Sequence, residues 1–361
     1  MLLLDNKDVA QLLTIEDCIE VIEEAYQELG NGRAAIFPEG GRMDVQAPSP
    51  GKELERSYVW GAMAGVLPKR GVFALRMKSD IRHTTIYPDG LRTQDKFCIA
   101  PGTYCGLIML FSSENAEPLA IVNDGLVQHM RVAATNAVAA KYLARKDSEI
   151  LAIIGSGGMA RSHSAAFCAI RPIKQIRVFS PTLTHREVFA REMSAKLNIE
   201  VAAMGSPEAA IKGADIVSSC TDSLEMVVKA AWVEPGMHLA CVLHYELEPE
   251  SVKKADVVIR HLRGKKLIAR AMAVEIDEGT KDELHRRYGP ALDDEVLPTL
   301  TDLVTGKVPG RTNDSQVTYF HNTPGSGIQF AATGAKLLEM AKAREAGRQL
   351  PTGWFLEDIR D

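Results

Sequence analysis

The sequence predicts an α/β protein in which a parallel, doubly covered sheet is inserted into a smaller α+β domain. Three observations carry that prediction. From residue 149 onward, short apolar runs alternate with helix-like segments, the rhythm of βαβ units. Before residue 124, strand-like runs follow one another across short polar breaks, as in an antiparallel sheet. Third, "LAIIGSGGMARSHSAAF" (151–167) passes from an apolar strand through glycines into a helix.

The elements follow in order. "TIEDCIEVIEEAYQELGNG" sets Ile15, Cys18, Ile19, Ile22, Tyr26 and Leu29 on one helical face, with Thr14 as N-cap and Gly30 as terminator. "SYVWGAMAGV", "VFALRMKSD", "YCGLIMLFSS" and "EPLAIVN" read as strands, the last two forming a hairpin across "ENA". "DGLVQHMRVAATNAVAAKYLAR" is an alanine-rich helix of high intrinsic propensity. Strands "EILAIIG", "IRVFSP", "IEVAAM", "DIVSSC", "MHLACVL" and "DVVI" then alternate with helices, and a helix near 329–347 closes the chain. The expected division is 1–125 for a substrate-binding and dimerisation part, 126–315 for the parallel-sheet domain, and 316–361 for a return to the first part.

With 361 residues the chain is long enough for two domains, and 46% hydrophobic with 25% charged residues is ordinary for a globular protein. A net charge of −5 without a basic stripe argues against nucleic acid as a partner. No apolar run approaches the roughly 18 residues a membrane helix needs. "MLLLDNKDVA" lacks the basic n-region of a signal peptide, so the expected location is cytoplasmic. Cys18, Cys98, Cys105, Cys168, Cys220 and Cys241 have no zinc-type spacing, so they read as reduced thiols and no metal is expected.

A glycine pattern alone is weak evidence, but here it follows a strand, opens a helix and sits in a βαβ unit, as a Rossmann dinucleotide site requires. Gly155 allows the tight turn, Gly157 lets backbone approach a pyrophosphate, and Ala160 keeps helix and strand close; Ser156, Gly158 and Met159 complete the loop. An NAD site usually has an acid at the end of the second strand. Here "RVFSPTLTHRE" offers Ser180, Thr182 and Arg186 instead, which suit a 2′-phosphate. NADP(H) is therefore favoured, with NAD(H) the alternative; Arg186 on a solvated helix face is the competing reading. Thr221, just past "DIVSSC", joins the cofactor-binding set.

Together with "IIGSGGMA", the stretches "FPEGGRM", "HMRVAATNAVAAKYLA" and "GIQFAATGAKLLEMA" resemble the ornithine cyclodeaminase and mu-crystallin family. The resemblance implies a homodimer that handles an amino or imino acid with a nicotinamide cofactor. It also implies substrate-binding roles for Arg42, Lys78 and Arg131. The chemistry agrees: a guanidinium grips a carboxylate bidentately, and a lysine of lowered pKa can supply the proton that imine reduction needs. The competing readings are an exposed sheet face for Arg76 and Lys78, a solvated helix position for Arg131, and a capping role for Arg42.

The chain also departs from the family. "HLACVLHYELEPESV" has no counterpart to the aspartate that family cyclodeaminases carry in this loop, where His244, Tyr245 or Glu246 would have to fill the space. Val132 and Phe330 replace polar residues of the family, which predicts a more apolar site and a bulkier or less polar substrate than ornithine. Gly325, Gly327 and His321 stand between a site role and an ordinary helix lead-in, and His83 is unassigned. The expected function is an NADP(H)-dependent imine or ketimine reductase, or amino acid dehydrogenase. The alternatives are a cyclodeaminase with catalytic NAD and a cofactor-fold binding protein without turnover.

Overall fold

Two sheets divide the chain, and one alanine-rich helix lies between them. A computed structural model describes residues 1–49, 56–87, 90, 92–243, 246–264, 267–271, 296–323, 325–357 and 359. In chain order the first part holds β1 (Leu2–Leu4), α1 (Asn6–Leu12), α2 (Ile15–Gly30), β2 (Ala35–Phe37), β3 (Met43–Pro48), β4 (Ser57–Leu67), β5 (Val72–Ile86), β6 (Arg92–Phe97), β7 (Cys105–Ser112) and β8 (Pro118–Asn123). The connecting helix α3 (Asp124–Leu143) leads to β9 (Ile150–Ile154), α4 (Gly158–Ile170), β10 (Gln175–Phe179), α5 (Leu183–Leu197), β11 (Glu200–Ala203), α6 (Pro207–Ile211), β12 (Ile216–Ser219), β13 (His238–Cys241), α7 (Pro249–Lys253) and β14 (Val257–Arg260). Then come β15 (Leu267–Arg270), α8 (Leu300–Val304), β16 (Thr318–His321), α9 (Gly327–Ala343) and β17 (Arg348–Gln349).

The first sheet runs β15-β3-β4-β5-β7-β8-β1-β17, with β2 beside β4 and β6 beside β5. Most of its pairs are antiparallel, and β7 and β8 form the expected hairpin. The second sheet, β11-β10-β9-β12-β13-β16-β14, is parallel throughout, as the βαβ rhythm requires. The α/β fold class is therefore as the sequence predicts. Thr14 caps α2 in a reciprocal capping box with Asp17, and Cys18, Ile19, Ile22 and Tyr26 are buried on its inner face. Its alanines let α3 pack on all sides: Ala133, Ala134 and Ala137 belong to the first core, and Ala140 and Ala144 to the core under the second sheet. No helix among the described residues is long and apolar enough to cross a membrane.

The expected domain edges shift in two places. The four-residue β16 sits between β13 and β14, so the second sheet continues past residue 315. Strand β15, from within 126–315, pairs with β3 of the first sheet. Both strands are too short for a period to show in the sequence.

The larger surprise is the orientation of β5. Val72, Ala74, Arg76, Lys78, Asp80 and Arg82 alternate onto its buried face, while Phe73, Leu75 and Met77 take the half-buried one. The exposed-face reading of Arg76 and Lys78 is thus overturned: four charged groups point inward.

Candidate active site

Sheet register builds the centre of the site. Asp44, Gly61, Lys78 and Gly106 lie in one row across β3, β4, β5 and β7. The two glycines flanking Lys78 hollow a trough. A Cβ at Gly61 would stand 2.6 Å from Asp44 Oδ1 and 3.3 Å from Arg42 Nη2; one at Gly106 would stand 2.5 Å from Asp124 Oδ2. Over Gly61, Arg42 Nε donates to Asp44 Oδ1 at 2.6 Å. Over Gly106, Arg76 Nε donates to Asp124 Oδ2 at 2.8 Å. Between them the Lys78 ammonium donates to Asp80. Mid-strand glycine was the sequence signal for this close approach.

Arg131 reaches the same face from α3. Its Nη1 donates to Gln329 Oε1 at 2.7 Å and its Nη2 to Gln128 Oε1 at 2.8 Å, so its charge has only neutral partners there. Gln329 is itself fixed, donating to Thr135 Oγ1 at 2.6 Å. The Phe330 ring lies under two guanidiniums, 5.1 Å from Arg131 and 5.5 Å from Arg76. Phe330 and Val132 are both buried, and Phe330 supports the cations. Gly325 makes room for Arg131, since a Cβ there would stand 2.5 Å from Nη1, and Gly327 lets α9 start against the Ala64 carbonyl. His321 stacks on Tyr319, and His83 stands 4.0 Å from Asp95.

Burial is the main force that holds the Lys78 amine well below its ordinary pKa. Arg42 and Lys96 reinforce it and Asp80 opposes it. Burial, then Arg76, lowers Arg131. Arg42 Nη2 and Arg131 Nε are buried donors with no hydrogen-bond partner among the described residues. Such an orphan costs about 1–3 kcal/mol, which a bound carboxylate would relieve. Sequence reading missed Asp44, Asp80, Asp124 and Gln329, which position the cations, and Lys96 on β6.

Beside the trough lies the glycine loop. Gly155 has φ +113°, and a side chain there would run into the Cys220 carbonyl. Gly157 is the N-cap of α4 without a side-chain cap, and nothing lies within 4 Å of where its Cβ would be. That open cradle of backbone N–H groups fits a pyrophosphate. The His129 ring rests on Gly158, Ala160 is fully buried, and the Met159 carbonyl bonds the His163 ring at 2.7 Å. Ser156 Oγ donates to Ser180 Oγ at 3.0 Å, tying the loop to the end of β10. Arg186 does not sit on a solvated face. It lies 5.4 Å over Phe179 and donates to the carbonyls of Ser180 at 2.7 Å and Pro181 at 3.2 Å. Thr182 is exposed, with no capping bond from its hydroxyl.

Thr221 is differently placed. Its N–H and hydroxyl both donate to Glu246 Oε1 at 2.7 Å, which leaves neither for a cofactor. Glu246 is fully buried and also accepts from the Val242 and Leu243 N–H groups; burial raises its pKa. It braces the loop after β13 and does not replace the missing aspartate. His244 and Tyr245 lie outside the described residues. The two sheets meet through β6: Thr93 bridges Ser223, Leu224 N donates to Arg92 O at 2.9 Å, and Arg92 pairs with Glu225 at 3.2 Å.

Comparison with known proteins agrees with this layout. The profile of the ornithine cyclodeaminase/mu-crystallin family matches residues 93–343. The chain is 24% identical to an alanine dehydrogenase of Archaeoglobus fulgidus over 97% of its own length and 98% of that protein's. It is 30% identical to the ketimine reductase mu-crystallin of Rattus norvegicus over 42% of this chain and 49% of that one. Among solved structures, the Δ1-pyrroline-2-carboxylate reductase of Thermococcus litoralis, in complex with NADH and L-proline, superposes with a TM-score of 0.76 at 27% identity, covering 97% of this chain and 100% of that one.

Proposed function

We propose that this chain, which belongs to the ornithine cyclodeaminase/mu-crystallin family, reduces the carbon–nitrogen double bond of an imino acid with a nicotinamide dinucleotide, or runs the reverse reaction as an amino acid dehydrogenase. The observation that carries this reading is a buried lysine of depressed pKa on the same face as two guanidiniums, Arg42 and Arg131, that hold orphaned donors, in a trough beside a phosphate-type glycine cradle.

The roles follow from the geometry. Arg131 and Arg42 hold the substrate carboxylate with the donors left open to it. A reduced nicotinamide, when bound, would supply the hydride for the imine carbon. As the C=N π pair moves onto nitrogen, Lys78 gives that nitrogen a proton, and Asp80 keeps the ammonium aimed. Gly155, Ser156, Gly157, Gly158, Met159 and Ala160 hold the pyrophosphate. Ser180, Thr182 and Arg186, with no carboxylate among them, favour NADP(H). We read the protein as a homodimer working in the cytoplasm. Exposed Phe37, Ile86, Tyr87, Ile99 and Tyr104 near the first sheet support a protein interface, and free thiols suit a reducing compartment.

Glu246 turned inward argues against cyclodeamination, in which the cofactor leaves unchanged. NADPH and NADH oxidation across cyclic imino acids and mixtures of 2-oxo acid and amine tests the reading. Stoichiometric oxidation, faster with NADPH, is the expected result. Cofactor binding without net oxidation would sink it; ammonia release from ornithine would then indicate a cyclodeaminase, and none a binding protein.

A further inference from the structure

We propose that the imino acid taken by this site carries two carboxylates, and that Lys96 holds the second. The inference rests on the imine-reductase reading above.

The charge ledger of the trough leads to it. Each of three acids is taken by one cation: Asp44 by Arg42, Asp80 by Lys78 and Asp124 by Arg76. Arg82, on the same face, is engaged elsewhere, and Arg131 and Lys96 are left without an acidic side chain paired to them among the described residues. Arg131, with Arg42, serves the carboxylate next to the imine. Lys96 has no such task.

Its position points into the same space. Lys96 stands directly opposite Arg82 in the antiparallel β5–β6 pair, and opposed residues leave a sheet on one face. That is the face of Arg76, Lys78, Asp80 and Arg82. Lys96 is exposed, yet burial lowers its pKa, and Asp80, Arg42, Arg82 and Arg76 all act on its charge. It is felt as well by His129, which lies against the glycine loop, and by Asp222 at the end of β12. Lysine on an edge strand commonly guards against stray pairing. Here residues 222–225 already cover the start of that edge, and the register places Lys96 on the trough's face.

An ammonium on the trough face without a paired acid suits a carboxylate on the ligand. That carboxylate can belong to the carbon skeleton, as in the imine of 2-oxoglutarate with ammonia. It can also belong to the nitrogen substituent, as in the imine of pyruvate with glycine. Both reduce alike: hydride adds to carbon, nitrogen takes one proton, and the reduced nicotinamide loses two electrons.

The test compares kcat and KM in two matched pairs, using the full chain. One pair is 2-oxoglutarate against 2-oxopentanoate, each with ammonia; the other is pyruvate with glycine against pyruvate with methylamine. We expect the dicarboxylate member of at least one pair to be favoured by about tenfold or more in kcat/KM, as a charge-assisted contact gives. The favoured pair identifies which side of the imine carries the second carboxylate. Lys96→Gln should abolish that preference, raising KM for the dicarboxylate substrate by about tenfold, and Lys96→Arg should keep it. Equal or faster turnover of the monocarboxylates, or a preference that survives in Lys96→Gln, would overturn the proposal while leaving the reductase reading intact. If no imine is reduced, the reductase reading fails, and calorimetry decides for Lys96. Tighter binding of glutamate than norvaline, or of N-carboxymethylalanine than N-methylalanine, lost in Lys96→Gln, would support it; equal binding would overturn it.

Discussion

Gly61 and Gly157 are both glycines of the site, and they serve opposite ends. Gly157 faces empty space: nothing lies within 4 Å of its absent side chain. Gly61 is crowded, with Asp44, Lys78 and Arg42 pressed over it. The cofactor cradle is made by backbone that leaves room for a ligand. The substrate trough is made by backbone that leaves room for the protein's own charged side chains. One region binds with main-chain N–H groups, the other with ions held in register.

The sharpest break between the two is Lys78→Met. It should lower kcat by roughly 10²- to 10⁴-fold, the span of general acid catalysis, while the dinucleotide Kd measured by fluorescence titration stays within a factor of two or so. A parallel loss of cofactor affinity would mean the regions are not separable. Next is Gly61→Ala, whose methyl must push Asp44 and Lys78 aside. An activity loss of about 10²-fold is expected from such misplacement, together with a fall in Tm. Gly157→Ala should do the reverse, keeping Tm within about 2 °C but weakening the dinucleotide roughly tenfold by filling the phosphate space. Arg186→Gln is narrower still: it should raise KM for NADPH by about tenfold and leave KM for NADH unchanged.

The smallest effect is on pH. Lys78 must be protonated to act, so kcat/KM should fall as pH rises through its lowered pKa, well under 10.5. Arg42→Gln removes a like charge and should move that alkaline limb to higher pH. Stability carries the matching sign. The folded pKa lies below the unfolded one, so between the two the unfolded chain binds more protons and stability falls as pH drops from 10.5. Chemical denaturation of Lys78→Met across that window should show a flatter profile.

The same contrast explains what the sequence could disclose. The cradle was legible because strand, glycines and helix are contiguous, and 151–167 carries them all. Arg42, Lys78 and Arg131 were found only through resemblance to a family. Taken alone, "VFALRMKSD" suggested outward charges, because burying four ions on one strand face runs against the usual cost of desolvation. Of the acids that offset them only Asp80 is on the same strand; Asp124 comes from the start of α3, brought to Arg76 by the fold. Lys96 was missed because "RTQDKF" is too polar to look like a strand. Thr221 was assigned from its place after β12, and only the structure shows Glu246 engaging it.

The alternation along β5 has a consequence for folding. A slip of one residue against β4 would send Arg76, Lys78, Asp80 and Arg82 outward and turn Phe73, Leu75, Met77 and Ser79 into the trough. Asp124 would then face hydrocarbon without Arg76 to meet it. The ions that serve the substrate therefore also act as a ruler for the sheet: misaligned chains are penalised before any ligand is present, and correct assembly and a competent site arrive in the same step.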